Sequence, residues 1–309
     1  MRDLTDPPVT IPAGTQVVAR IPVRDEAGNE RAPAGAVGLV VAVPARVDGA
    51  YIVRLPDGHE VALHRTHLSI RTAHQREGVL PSLPDAAGLR PYIIYRCVVG
   101  SRAYGLDDAD SDTDRRGIYL PPARLHWSLA GLPEQIEDHA AQEVYWELEK
   151  FLRLALKANP NVLECLYTPL VEHATPLAEE LRALRDRFLS KHLYQTYNGY
   201  VLSQFRKLEQ DLRTHGEVRR KHAMHLVRLL LSGIIALREG TIPVQVTEHR
   251  ERLLAIKRGD LPWAEVNAWR LALHQQFDAA YAASTLPERP DRAAVDALLI
   301  RARRLMVEV

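Results

Sequence analysis

Val98-Val99-Gly100-Ser101-Arg102-Ala103-Tyr104-Gly105, followed by Ser111-Asp112-Thr113-Asp114-Arg115-Arg116-Gly117-Ile118-Tyr119-Leu120, decides how this chain is read. An apolar run from Tyr92 to Val99 reads as a strand that enters Gly100-Ser101. A glycine has no Cβ, so the backbone there can approach a phosphate closely. The next residues would open a helix, whose free N–H groups favour an anion, and Ser101 adds a hydroxyl donor. An Asp-x-Asp follows just before a second apolar run. On a strand, the period of two sets Asp112 and Asp114 on one face. Two carboxylates that close repel unless a cation lies between them. Hard oxygen ligands suit Mg²⁺ or Mn²⁺, which also bind substrate phosphates. The pattern therefore points to a two-metal arrangement for in-line phosphoryl or nucleotidyl transfer. An acidic surface loop is the competing reading, because charge runs are usually solvated. It suffices for Asp107, Asp108 and Asp110. It does not explain the Gly-Ser turn and the apolar run on each side of the Asp-x-Asp.

Upstream, residues 11–71 hold short β-branched runs: Val17 to Ile21, Gly38 to Val43, Tyr51 to Leu55 and Glu60 to Leu63. Turn signals separate them, namely Ala27-Gly28-Asn29, Asp48-Gly49 and Pro56-Asp57-Gly58. Asp57-Gly58 between two such runs predicts a hairpin. About five short strands over some sixty residues predict an SH3-like β-barrel, a fold-level likeness to accessory domains of nucleic-acid proteins. The stretch from His74 to Arg90 is polar, contains Pro and Gly, and reads as a linker. Downstream of about Glu143 the apolar spacing becomes three and four residues, as in Glu147 to Leu156, His222 to Leu237, Arg250 to Ile256, Trp263 to Tyr281 and Ala293 to Met306. Prolines at 160, 169, 176, 243, 262 and 287 punctuate these helices.

The 309 residues exceed one small domain. Net charge is +1, so composition announces no nucleic-acid partner and any electrostatic footprint is local. The two cysteines, Cys97 and Cys165, sit in apolar runs and read as buried thiols. No run approaches the roughly 18 apolar residues of a membrane span, and the polar N-terminus lacks an apolar leader core, so a cytoplasmic protein without membrane contact is expected.

Further along, Lys221, His225 and Arg228 share one helical face by i, i+4 and i, i+3 spacing. Such a face could grip a triphosphate, with Arg228 supplying a bidentate fork, or it could be a solvated stripe. Tyr200, Gln204 and Lys207 on an upstream helix could line the same cleft. Lys150, Arg153 and Lys157 read as a solvated basic face. Glu164, in an otherwise apolar turn, calls for a cation partner or a helix to cap. Glu147 is expected to face solvent or cap a helix.

Gly-Ser, about ten residues, then Asp-x-Asp in a strand resembles the signature of the DNA polymerase beta nucleotidyltransferase superfamily. Five flanking words narrow the likeness to its RNA-repair-pathway DNA polymerase beta branch: Gly100-Ser101-x-Ala103-Tyr104-Gly105, Ser111-Asp112-x-Asp114-x-Arg116-Gly117, Glu149-Lys150-Phe151-Leu152, Asn159-Pro160-Asn161-Val162-Leu163-Glu164, and Lys221-His222-Ala223-Met224-His225. The resemblance covers roughly residues 92–260 and leaves the N-terminal unit outside. Together with the N-terminal unit read above, the expectation is an α+β chain: an SH3-like barrel over residues 1–73, a linker over 74–90, a nucleotidyltransferase core with a mixed β-sheet and helices over 91–175, and a helical domain over 176–309. The resemblance itself covers the last two. It implies transfer of an NMP from an NTP, with Mg²⁺ or Mn²⁺, to an acceptor such as an RNA end. Asp112, Asp114 and a third carboxylate would be catalytic metal ligands. Gly100, Ser101, Arg102, Tyr104, Lys221, His225 and Arg228 would bind the nucleotide. The sequence departs from the pattern at the third acid, whose expected position holds Gln142. Glu143, one residue on and opening the run Val144-Tyr145-Trp146, is taken in its place; Asp138 lies further upstream. Two other readings stay open: nucleotidylation of a protein or small molecule, and an inactive RNA-binding or scaffold protein.

Overall fold

The structure, a computed structural model, describes residues 10–24, 28–46, 49–74, 83–216 and 218–307. It divides into two compact units, residues 1–82 and 83–309. The chain is α+β.

The first unit is a five-stranded antiparallel sheet with a small hairpin. Its strands are β1 (Gln16–Ala19), β4 (Val37–Ala42), β5 (Ala50–Arg54), β6 (Glu60–His64) and β7 (Leu68–Ile70), in the order β6-β5-β4-β1-β7. The hairpin of β2 (Val23–Arg24) and β3 (Glu30–Ala32) leaves the sheet between β1 and β4. Alternation buries Val17, Val40, Tyr51, Val53 and Leu63 around Ile11. Asp57-Gly58 makes the expected turn between β5 and β6: Asp57 Oδ1 accepts from His59 N at 3.0 Å, and Gly58 carries φ 88°. No pairing among the described residues joins β6 to β7, so closure into a barrel is not part of this sheet. Ala27 and Asp48, in the other two expected turns, lie outside the described residues. Several arginines of this unit are held by partners within it. Arg54 pairs with Glu60 at 2.7 Å, Arg24 bonds Gly28 O, Arg20 bonds Ser69, and Arg71 reaches Gln16. After β7 comes one short helix, α1 (Arg71–His74).

Of the expected linker, residues 75–82 lie outside the described residues. Its end is helical: α2 (Ala86–Leu89) is capped by Asp85, which accepts from Gly88 N at 2.7 Å.

The second unit is built on a mixed sheet in the order β10-β11-β9-β8-β12. Its strands are β8 (Ile93–Val99), β9 (Asp114–Tyr119), β10 (Gln135–Asp138), β11 (Glu143–Glu147) and β12 (Val171–Ala174). β9 and β11 run parallel and the other pairs antiparallel. Period-two alternation gives the sheet two faces. Tyr95, Cys97, Ile118 and Trp146 enter the main core, while Tyr119, Tyr145 and Ile136 pack with Leu89 in a smaller one. The elements between strands are α3 (Gly100–Tyr104), α4 (Ala123–His126), α5 (Leu148–Leu156) and α6 (Pro160–Tyr167). Asn159 caps α6, accepting from Asn161 N and Val162 N. Glu147 caps α5, but it is buried and also held by Arg303 at 2.8 Å rather than facing solvent.

The remaining helices are α7 (Pro176–Ala183), α8 (His192–His215), α9 (Arg220–Glu239), α10 (Arg250–Arg258), α11 (Trp263–Ala283) and α12 (Arg292–Leu305). α9 is the hub, packed by α8, α10 and α11. Gly233 permits this: a Cβ there would lie 2.9 Å from the Phe277 ring of α11 and 3.1 Å from Tyr197 of α8. The same hydrophobic core runs from Tyr95 of the sheet to Ala302 of α12, across the boundary expected at residue 175. Cys97 and Cys165 are free and buried in it. No helix among the described residues is long and apolar enough to cross a membrane.

Candidate active site

A cleft of about 250 Å³ opens where β8 turns into α3, facing the first turns of α9. Gly100, Ser101, Tyr104 and Asp114 form one wall; Lys221, His222, His225 and Arg228 form the other, with Tyr200 and Asn161 at the edges. Sequence elements more than a hundred residues apart thus meet here.

Gly100 is fixed by two demands. Its φ is 72°, in the left-handed region that glycine adopts without penalty. A Cβ would also stand 2.5 Å from Asp114 Oδ2. The register of β8 on β9, with Val99 opposite Asp114, causes that approach. The glycine therefore makes room for a carboxylate. Ser101, the next residue, is buried in the same wall. Asp114 opens β9, while Asp112 precedes the strand and is exposed. Arg116, two residues along the strand, lies 3.5 Å from the Asp114 carboxylate.

The structure does not bring Glu143 to the aspartates. Glu143 is opposite Arg115 in the parallel β9–β11 pair, so it shares the sheet face of Arg115, not that of Asp114. It is buried and bonded to Arg90 at 2.9 Å. One step earlier in register stands Gln142, exposed, with φ 56°. Its carbonyl accepts from Arg115 N and Arg116 Nη1. Among the described residues no group of three or more Asp, Glu, His or Cys side chains is gathered for a metal.

Arg102 is also not in the cleft. Its Nη2 donates to Ser111 O at 2.6 Å and its Nη1 lies 3.8 Å from Asp107, so it braces the loop that delivers the aspartates. Lys257 braces the same loop, bonding Asp108 at 2.7 Å and Leu106 O at 2.9 Å. The Lys257 bond to Asp108, together with that of Ser111, holds the Asp108 carboxyl down at about 2.

Arg228 reaches the cleft as its floor and not as an exposed fork. It is buried, its Cζ lies 3.6 Å from the centre of the Tyr104 ring, and its Nη2 is 2.8 Å from Glu164 Oε1. This last is a close ion contact and not an aligned hydrogen bond. Tyr104 completes the arrangement by donating to Glu164 Oε2 at 2.6 Å. Burial works against the charge of Arg228, but Glu164 and Tyr104 outweigh it and the guanidinium is held above its ordinary value. Sequence reasoning flagged Glu164 as needing a cation and Arg228 as a ligand, yet missed that each is the other's partner. Lys221 remains exposed at the cleft mouth. His225 packs edge-on against Tyr104 at 5.9 Å. Burial, with the positive charges of Arg228 and Lys221, pushes His225 down to about 4, so it stands in the cleft as a neutral imidazole at pH 7. Of the helix α8 residues, Tyr200 lines the cleft and Gln204 bonds His222 at 3.2 Å. Lys150 and Arg153 pair with Glu134 and Glu149, as a solvated face would.

A mixed sheet that presents a Gly-Ser turn and an adjacent Asp-x-Asp to a helical lobe has the layout of a nucleotidyltransferase of the polymerase beta type. The chain belongs to the RNA repair pathway DNA polymerase beta family, whose model matches residues 65–301. It is 34% identical over 155 residues to the uncharacterized protein YcgL of Bacillus subtilis, covering 49% of this chain and 58% of that protein. It is 24% identical over 164 residues to the uncharacterized protein MJ0002 of Methanocaldococcus jannaschii, covering 51% of this chain and 65% of that protein. In each case the match thus spans less than two thirds of the relative. No solved structure matches. The family match extends further than the motif words, at both ends, and starts at the close of the N-terminal sheet.

Proposed function

We propose that the chain transfers a nucleoside monophosphate from an NTP to an acceptor hydroxyl, with a divalent cation held by Asp112 and Asp114. The observation that carries this is the single cleft joining Gly100, Ser101 and Asp114 to Lys221 and His225. The residues present suit Mg²⁺ or Mn²⁺. Their oxygens are hard donors, and among the described residues Arg116, at 3.5 Å, is the ion partner of Asp114. With two carboxylates at hand, substrate phosphate oxygens and water would complete the coordination, as is common for Mg²⁺. Bound there, the cation would supply charge stabilisation at the reacting phosphate. The triphosphate lies along the Gly100-Ser101 turn, with Ser101 donating its hydroxyl and Lys221 answering the charge from α9. His225, neutral and wedged on Tyr104, donates or accepts one hydrogen bond without adding charge. Tyr104, Glu164 and Arg228 hold α3 against α9 and so fix the distance between the walls. The acceptor oxygen bonds to the α-phosphorus, the bond to the β-phosphate oxygen breaks, pyrophosphate leaves, and the hydroxyl proton passes to water.

The family description supports an RNA end as the acceptor. In the N-terminal unit, the strand order β6-β5-β4-β1-β7, the β2–β3 excursion and the helical turn at Arg65–His67 before β7 support the SH3-like reading. We assign that unit to holding the acceptor, and a cytoplasmic setting suits the whole. A second reading, an RNA-binding protein without transfer activity, draws on the absence, among the described residues, of a third acidic ligand gathered with the aspartates. One experiment separates the two. The full chain is incubated with labelled ATP, CTP, GTP or UTP, Mg²⁺ or Mn²⁺, and bulk RNA. Label in RNA, lost in Asp112→Asn and Asp114→Asn, supports transfer; removing one ligand of this kind costs about 10² to 10⁴-fold in rate. Label on the protein itself moves the acceptor to protein. No label under any condition, with RNA still bound, leaves the second reading.

A further inference from the structure

Three successive carbonyls at the end of α3 accept from one stretch of the helical lobe. Val246 N donates to Tyr104 O at 3.0 Å, Arg250 Nε to Gly105 O at 2.8 Å, and Lys257 Nζ to Leu106 O at 2.9 Å. The last carbonyls of a helix have no partner within it, and here α10 and the residues before it supply one. Arg250 and Lys257 stand seven residues apart and so share one face of α10. That helix packs on α9, which carries Lys221 and His225. Lys257 does more than cap a carbonyl. Its Nζ also donates to Asp108 Oδ2 at 2.7 Å. The other oxygen of that carboxylate, Oδ1, accepts from Ser111 Oγ at 2.7 Å, and Ser111 O accepts from Arg102 Nη2 at 2.6 Å. Asp112 is the next residue. A chain of hydrogen bonds therefore runs unbroken from α10 to the residue before Asp112. The Lys257 side chain is only 16% exposed, but that of Asp108 is 58% exposed. An ion pair open to solvent on one side adds little stability, so stability alone does not account for the tie.

We infer that Lys257 is a positioning residue for Asp112: by fixing Leu106 and Asp108 on α10, it sets where the Asp112 carboxylate stands relative to the α9 wall of the cleft. This rests on the proposed role of Asp112 as a cation ligand. Asp114 is rooted in β9 by its register with Val99. Asp112 precedes the strand and is exposed, so the sheet does not hold it. Without Lys257 the loop keeps its internal bonds, Ser111 to Asp108 and Arg102 to Ser111, and loses its reference to the helical lobe. A cation would then keep Asp114 and lose the geometry of its second carboxylate. Removing a group that orients a metal ligand costs about 10- to 100-fold in metal affinity. The sign of the effect separates positioning from charge. Lys257 is itself a cation, so by Coulomb repulsion alone its removal would tighten the binding of a nearby metal ion.

The test is Mn²⁺ titration of the full chain, read by the spin-resonance signal of the free ion, beside a thermal melt of each sample. Lys257→Met keeps the stem and removes the donors. It should weaken Mn²⁺ about tenfold or more, and it should lower kcat for nucleotide transfer with KM for the NTP changed less than twofold. Lys257→Arg should return most of the Mn²⁺ affinity. Asp108→Ala cuts the same tie from its exposed end, and the double variant should bind Mn²⁺ no more weakly than Asp108→Ala alone. If Lys257→Met does not fold, Asp108→Ala with Lys257→Arg decides the matter. A folded Lys257→Met protein with wild-type or tighter Mn²⁺ binding would overturn the inference, whatever its melting temperature, as would fully additive losses in the double variant. Mn²⁺ binding by wild type that these variants leave intact removes this inference alone; no Mn²⁺ binding by wild type removes the proposed function and this inference with it.

Discussion

Gly100→Ala is the smallest change that tests the site. The wild-type glycine has φ 72°. Placing any L-residue there costs about 1–2 kcal/mol. The new methyl would stand 2.5 Å from Asp114 Oδ2, where 3.4 Å is ordinary contact, so the carboxylate must retreat by about 0.9 Å or α3 must tilt. Asp114 is rooted in β9 by its register with Val99, which limits the strand's freedom to follow. The folding penalty is therefore modest, about 2–8 °C in melting temperature for a unit of this size. The functional penalty is larger, because misplacing a reacting or metal-holding group by about 1 Å costs on the order of 10²-fold. The assay measures labelled-nucleotide transfer at saturating metal, beside a thermal melt of the same sample. A folded Gly100→Ala protein with wild-type turnover would refute the claim that the closeness of this turn to Asp114 matters to the chemistry.

Three further outcomes are expected. Glu164→Gln leaves the Arg228 charge buried without its carboxylate and should destabilise the chain by about 3–5 kcal/mol; adding Arg228→Met should return a large part of that loss in thermal or urea unfolding, and strict additivity of the two changes would contradict the pairing. Gln142→Asp places a carboxylate one residue before the Glu143–Arg115 pair, at a left-handed position that Asp tolerates, and should tighten Mn²⁺ binding and raise transfer; unchanged metal affinity would mean that position 142 does not reach the site. The depressed His225 has a definite pH signature. Between its unfolded value, about 6.5, and about 4, the unfolded chain binds a proton that the folded chain does not. Its contribution to stability is thus intact above that window and is lost as pH falls through it. His225→Gln should flatten the stability profile between pH 6.5 and 4, and an identical profile in wild type and variant would refute the buried neutral imidazole.

The parts of the fold that were legible in the sequence are those where local pattern and tertiary structure agree. The hairpin at Asp57-Gly58 was readable because a turn residue stood between two alternating runs. The helices α9 to α12 were readable because their apolar spacing is the core itself. The linker was only partly readable. Polar residues and a proline announce a break, but the Asp85 side chain caps a helix at Ala86–Leu89 that composition does not suggest.

Within the site, what could be read was whatever rests on spacing along one element, and what could not was whatever rests on pairing between elements. Gly100, Ser101 and Asp114 lie on one strand-turn-strand path, and Lys221 and His225 on one helix, so their shared faces follow from period alone. The sheet face of Glu143 depends on which β9 residue stands opposite, and a shift of one residue reverses it. The observed register sets Glu143 against Arg115, and Arg90 then takes its charge on the far side. The fate of Arg228 likewise turned on a residue far away in sequence. Its helical face was read correctly, but Glu164, on α6, reaches that face first. Glu164 stood out in the sequence as a charge in an apolar turn, whereas Arg228 read as part of a basic face; only the fold shows that both are buried and need each other. Pairing them first would have moved Arg228 from ligand to scaffold and left Lys221 as the cation of α9 exposed at the mouth of the cleft.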